Sequence, residues 1–211
     1  MIGVGTSLFL YHYLWQTRLT LMTRILIILT LFISCGIAIP VFGQVKWMSW
    51  EEAQAKNKVE PRKFIVDVYT QWCGWCKKMD VATFQKQDIS SYINENYYAV
   101  KFDAETKADI HFKDKTFKFV RQGSSGYHQL AAEITFGKLS YPTIVFLDEN
   151  LNVIQPIPGY QDPTSLDKIM KYFAENYYKT TPWKKYQEMC TQPTQKPPQK
   201  TGTPTLPVRG N

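Results

Sequence analysis

Two cysteines with two residues between them, in the run Trp72-Cys73-Gly74-Trp75-Cys76-Lys77, are the residues best suited to chemistry in this chain. They follow residues 63–70, KFIVDVYT, a β-branched and aromatic run with one charge in its middle, the pattern of a buried central strand. After Trp72 the apolar spacing turns helical, through Met79 and Phe84. A thiol at the start of a helix faces unpaired N–H groups and the positive end of the helix dipole, so its thiolate is favoured. Two intervening residues bring the second sulfur round by one turn, within bonding distance of the first. Cys73, at the exposed start, is therefore expected to attack, and Cys76, one turn inward, to resolve the mixed disulfide. Trp72 and Trp75 flank these sulfurs as a docking platform, with Gly74 between them.

The same spacing serves as half of a zinc site, which needs four ligands. Cys190, His12, His111 and His128 offer no second paired spacing, so no metal is expected, and His111 and His128 read as surface residues. Asp67 lies inside the strand among Phe64, Ile65, Val66 and Val68. Burying an ionised carboxyl there is costly, so its pKa should rise, and a raised acid near the inner thiol can take up its proton during exchange.

Other elements must hold these residues. Ser49 and Glu52 fit a capping box opening a helix over 50–57. Asp88 suits the start of a short helix through Ile93, and residues 97–103 (YYAVKFD) read as a second strand. Ile110, Phe112, Phe117 and Phe119 around Asp114 suggest a small hairpin, followed by a Gly-Ser-Ser-Gly loop. A helix is expected over 127–136 with Gly137 as its stop, then a strand over 143–147 turning at 148–150 into a partner at 151–154. Asp162-Pro163 caps a last helix whose Leu166, Ile169, Met170 and Phe173 share one face. Strands alternating with helices and ending in a hairpin indicate an α/β fold with a mixed sheet.

The segment FIVDVYTQWCGWCKKM resembles the active-site segment of the thioredoxin superfamily, and Tyr141-Pro142-Thr143-Ile144-Val145-Phe146 resembles its cis-proline loop. The resemblance covers roughly residues 45–178. It implies a thioredoxin fold, a central mixed β-sheet flanked by helices, with a hairpin-like insertion at about 104–126 before the cis-proline helix. It further implies that Asp67 is the family's buried acid, that Lys101 is the strand lysine neighbouring it, and that Pro142 is cis. In that geometry the backbone at Tyr141, Pro142 and Thr143 is offered to a substrate strand. Thr83-Phe84 and Gly159-Tyr160-Gln161-Asp162 add a likeness to secreted proteins similar to the C-terminal domain of transmembrane thiol:disulfide interchange proteins. Thioredoxins proper carry Gly-Pro between the cysteines; Gly74-Trp75 stands here, which leaves the direction of electron flow open.

The 211 residues carry 25 Lys+Arg against 18 Asp+Glu, a net +7 with a pI near 9.1. Residues 25–45 hold no charge, follow Met22-Thr23-Arg24 and end in small residues, as a secretory signal peptide over 22–43 does. Residues 1–21 read as an upstream extension before the true start. A membrane anchor is the alternative, and a lipidated Cys35 a third reading. Residues 191–211 are a Pro/Thr/Gln/Lys tail expected to be disordered, so the folded domain is 44–190. Arg18, Arg24, Lys196, Lys200 and Arg209 belong to the leader and tail; without them 20 basic residues face 18 acidic ones, and nucleic-acid binding loses its support.

The expectation is a monomeric, periplasmic or secreted thiol–disulfide oxidoreductase acting on protein or peptide disulfides. It needs no metal or organic cofactor, because the electron pair resides in Cys73 and Cys76. As a reductase it requires a membrane electron donor of the thiol:disulfide interchange type. The alternative is a thioredoxin-fold binding or holdase module without redox turnover. Cys190 is left over, a free thiol or an intermolecular partner.

Overall fold

The computed structural model describes residues 43–191 and Arg24; the leader and tail readings otherwise lie outside the described residues. The chain runs through β1 (Trp47–Met48), α1 (Trp50–Val59), β2 (Lys63–Tyr69), α2 (Gly74–Met79), a π-helical turn (Asp80–Phe84), α3 (Gln87–Asn96) and β3 (Tyr97–Asp103). Two short hairpins follow, β4 (Ile110–Phe112) with β5 (Lys115–Phe117) and β6 (Phe119–Gln122) with β7 (Ser125–His128). Then come α4 (Gln129–Ile134), β8 (Thr143–Leu147), β9 (Val153–Pro158), α5 (Pro163–Ala174), a 3-10 turn (Tyr177–Lys179) and α6 (Trp183–Thr191).

Five strands form one mixed sheet in the order β1-β3-β2-β8-β9. β1 and β2 run parallel to β3, whereas β8 is antiparallel to both β2 and β9. The central position of β2 explains its composition. Its first six residues are buried, and alternate side chains feed opposite faces of the sheet. Ile65 joins Met79, Phe84, Ile89, Ile93, Phe146 and the apolar face of α5 on one side. Phe64, Val66 and Val68 join Trp50 and Ala53 of α1 and Leu130, Ala131 and Ile134 of α4 on the other. The result is a sheet between two helical layers.

Local signals explain the helices that brace it. Ser49 Oγ accepts from the Glu52 amide at 3.1 Å, opening α1. Asp162 accepts from the Thr164 and Ser165 amides at 2.9 and 3.1 Å, with Pro163 at the first helical position of α5. α5 buries Leu166, Ile169, Met170 and Phe173, the face its spacing predicts.

Several expectations need correction. α3 begins at Gln87 with Lys86 before it and no side-chain cap, so Asp88 lies inside the first turn instead of capping it. The helix expected over 127–136 is only Gln129–Ile134, because Tyr127 and His128 are taken by β7. Phe119 belongs to a second hairpin, pairing with His128 across β6 and β7. Gly126 is required in that hairpin: a Cβ there would collide with the Phe119 ring and the Val120 carbonyl. His128 is fully buried instead of at the surface; its ring bonds the Ala108 carbonyl at 3.1 Å and the Leu130 amide at 3.2 Å. The second strand of the last hairpin extends over Val153–Pro158, beyond the expected 151–154. β1 and α6 carried too short or too polar a pattern to be read. α6 anchors through Tyr186, buried against Tyr172, Tyr177 and Trp183.

Candidate active site

Cys73 and Cys76 are joined by a disulfide whose Cα atoms are 5.3 Å apart. They sit where the C-terminal end of β2 passes into α2, with Cys73 as the residue capping that helix. The Cys76 amide donates to Cys73 Sγ at 3.1 Å, a contact that supports negative charge on this sulfur once the bridge opens. Cys73, expected at an exposed helix start, is in fact only 4% exposed, and Cys76 is buried too. Trp72 and Trp75 are 67% and 57% exposed, so two protruding indoles neighbour a nearly covered bridge. Gly74 leaves open space where a side chain would stand.

Each tryptophan is oriented by a second aromatic. Trp72 meets Tyr141 edge to face at 5.9 Å, and its Nε1 donates to Glu105 Oε1 at 3.1 Å. Trp75 lies 5.5 Å from the Tyr160 ring, and Lys78 Nζ stands over both rings, at 4.6 and 5.4 Å. The Tyr141–Pro142 peptide bond is cis. Its loop is tied down by Thr143, whose hydroxyl donates to the Ser140 carbonyl at 2.7 Å, and by the Gly159 amide, which donates to the Pro142 carbonyl at 2.8 Å. Thr143 is buried, so its side chain braces the loop and does not face the exposed surroundings of the bridge. Burial, reinforced by the negative charges of Glu105 and Asp103, pushes the Tyr141 phenol up to about 12.

Beneath this surface lies the charged part of the site. Asp67 is fully buried on the same strand face as Ile65, which packs with Met79 and Phe84 of the cysteine-bearing segment. It stands in register with Lys101 on β3, and Lys101 Nζ donates to Asp67 Oδ2 at 2.5 Å. Lys101 also bonds Asp80, from the π-helical turn that continues α2. Burial raises Asp67 to about 6 even though the lysine pulls it down. Burial works to lower the Lys101 ammonium, but the two carboxylates outweigh it and hold it above its ordinary value. The second carboxyl oxygen, Asp67 Oδ1, has no hydrogen-bond partner among the described residues, so the acid keeps a free acceptor in its buried setting.

The structure therefore brings together Cys73, Cys76, Trp72, Gly74 and Trp75 at one helix start. It adds Tyr141 and Pro142 beside Trp72, and pairs Asp67 with Lys101. Asp80, Glu105 and Tyr160 were not singled out in the sequence as parts of the site. Asp80 left one readable trace, an acid four residues after Cys76 and thus on the same side of a helix. Glu105 left none, because only folding brings it to Trp72. Among the described residues no group of His, Cys, Asp and Glu is arranged to hold a metal ion.

A mixed sheet between helices, with a paired C-x-x-C at the end of its central strand and a cis proline beside it, defines a protein of the thioredoxin superfamily. The chain belongs to the thioredoxin-like domain family, whose profile matches residues 50–174. Spermatogenesis-associated protein 20 of Mus musculus is 34% identical over 87 residues, 40% of this chain and 11% of that protein. The chain thus spans about a tenth of the length of the curated relatives it first matches. Among solved structures, DsbH oxidoreductase is 16% identical, covering 66% of this chain and 92% of its own, with a TM-score of 0.47. A putative disulphide-isomerase from Bacteroides thetaiotaomicron is 24% identical, covering 63% and 95%, with a TM-score of 0.44.

Proposed function

We propose that this protein is an exported thiol–disulfide oxidoreductase that exchanges disulfides in proteins or peptides through Cys73 and Cys76. The reading is carried by the Cys73–Cys76 bridge at the start of α2, with the Cys76 amide donating to Cys73 Sγ. In the dithiol form the Cys73 thiolate attacks one sulfur of a substrate disulfide, and the other sulfur leaves as a thiolate. Cys76 then attacks Cys73, closing the bridge and releasing the substrate's second sulfur. Two electrons pass to the substrate, and both protons end on its thiols. Asp67, with Oδ1 free and burial raising its pKa to about 6, takes the Cys76 proton as that thiol becomes the nucleophile.

The uncharged run behind Arg24 supports export, with the folded domain acting as a monomer outside the cytoplasm. On that side the reducing direction draws electrons from a membrane donor of the thiol:disulfide interchange type. The test measures reduction of a peptide disulfide by the dithiol form. Cys73→Ser is expected to abolish it, and Cys76→Ser to trap the substrate as a mixed disulfide on Cys73. An active Cys73→Ser variant overturns the mechanism. A mature chain beginning at Gln44, found by mass spectrometry of the exported protein, supports export; retention of residues 22–43 favours the anchor.

A further inference from the structure

The two aromatic pairs beside the bridge carry opposite charges. On the Trp72–Tyr141 side stands Glu105, accepting from the Trp72 indole at 3.1 Å. Asp103 is next to it, held by Gln71 Nε2 at 3.3 Å and by the Glu105 amide at 2.9 Å. On the Trp75–Tyr160 side stands Lys78, over both rings, with the exposed Lys77 preceding it on α2. Among the described residues none of these four charged groups has an ion-pair partner; the ion pairs present lie elsewhere. Unneutralised charge of opposite sign on two flanks of one reacting bond selects partners by complementarity.

Glu105 reaches this position from the segment that leaves the sheet after β3. The excursion is closed at its base, where the Ala104 amide donates to the Tyr69 carbonyl at 2.8 Å and the His128 amide to the Ala104 carbonyl at 2.7 Å. Its hairpin β4–β5 packs away from the bridge, with Phe112 5.0 Å from Trp50 of α1. The inserted chain thus touches the rim of the site through its first residues, and Glu105 is the contact.

We propose that Glu105, supported by Asp103, makes this site select disulfides flanked by a lysine or arginine, with Lys78 favouring an acidic residue on the opposite flank. The proposal rests on the redox function above and names its substrate class: an extended peptide segment whose half-cystine lies between a cation and an anion. The cation sits against Glu105 and the Trp72 and Tyr141 rings, where an aromatic face adds to the attraction. The anion sits by Lys78.

The test uses the full chain in its dithiol form, prepared with dithiothreitol and freed of it. The probes are short disulfide-linked peptides that differ only in the residues flanking the cysteine, lysine, alanine or glutamate on either side. Fluorescence of the tryptophans beside the bridge follows the reaction. The lysine peptide in its better orientation is expected to react about two- to fivefold faster than the alanine peptide at low salt, the range of an exposed ion pair. That ratio should shrink toward one above about 0.5 M salt. Glu105→Gln, whose amide oxygen still accepts from the Trp72 indole, should bring the ratio to one, and Glu105→Lys should invert it. Equal rates for all peptides, or a ratio that survives Glu105→Gln, overturns the proposal while leaving the redox function standing. If no peptide is reduced at all, the redox function itself fails.

Discussion

Asp67 and Lys101 stand opposite each other in register on the parallel strands β2 and β3, with Oδ2 and Nζ 2.5 Å apart and the carboxyl sealed from solvent. The lysine does not belong to this acid alone, since it also bonds Asp80. Burial outweighs the lysine at Asp67, and the nearby Asp80 charge adds a smaller push in the same direction.

This balance sets a pH dependence of stability. In the unfolded chain Asp67 titrates near its ordinary 3.8, whereas in the fold it titrates at about 6. Between these values the folded state binds the extra proton, so the stabilising effect of protonation is present below about 4 and is lost as pH rises through 6. Asp67→Asn, which removes the buried charge and leaves Lys101 paired with Asp80, should stabilise the protein by roughly 1–3 kcal/mol at pH 7. Urea titrations should show that gain vanishing by about pH 4.

Lys101→Met should have the opposite effect. It leaves Asp67 buried without its cation, and removing one partner of a buried pair costs about 3–5 kcal/mol. The loss should be greatest above pH 6 and smaller at pH 5, where the carboxyl takes up a proton. Urea midpoints of the variant at the two pH values provide the comparison.

Trp72→Ala should separate binding from folding. The indole is largely exposed, so the unfolding free energy should change by less than about 0.5 kcal/mol. Loss of an aromatic anchor beside the bridge should nevertheless slow reduction of a peptide disulfide by about 5- to 30-fold, the effect of removing 1–2 kcal/mol of contact. Stopped-flow rates and urea midpoints of the same variant decide it.

Tyr186→Ala tests whether α6 is an integral part of the fold. The ring is 1% exposed and packs on Tyr172, Tyr177 and Trp183. Its removal should cost about 3–5 kcal/mol, read as a lowered urea midpoint. A midpoint unchanged from wild type would show that α6 merely rests on the domain.

The site was legible where its chemistry is local. The C-x-x-C spacing, the apolar run around Asp67 and the Asp162-Pro163 cap all act through neighbours within a few residues, so composition and period expose them. The second hairpin was not legible, because Phe119 reads as the end of the first hairpin, and the short Phe119–Gln122 segment shows itself as a separate strand only by pairing with Ser125–His128. His128 likewise looked like a surface residue; its burial depends on the Ala108 carbonyl, twenty residues away, meeting the ring. α6 escaped because five of its nine residues are polar and a single tyrosine carries its deepest burial.

By itself the sequence determined that two sulfurs sit at a strand-to-helix junction, that a carboxyl is buried in that strand, and that five of the seven excess positive charges belong to the chain ends. Backbone geometry and side-chain hydrophobicity suffice for these, since each involves residues close in the chain. Only the tertiary structure decided that Lys101 divides itself between Asp67 and Asp80, and that Glu105 leans on Trp72 while Lys78 covers Trp75. Apart from Lys78 and Trp75, which are one helical turn apart, those pairings join residues 21 to 34 positions apart. Their energies depend on how far water is excluded, and that is a property of the packed molecule.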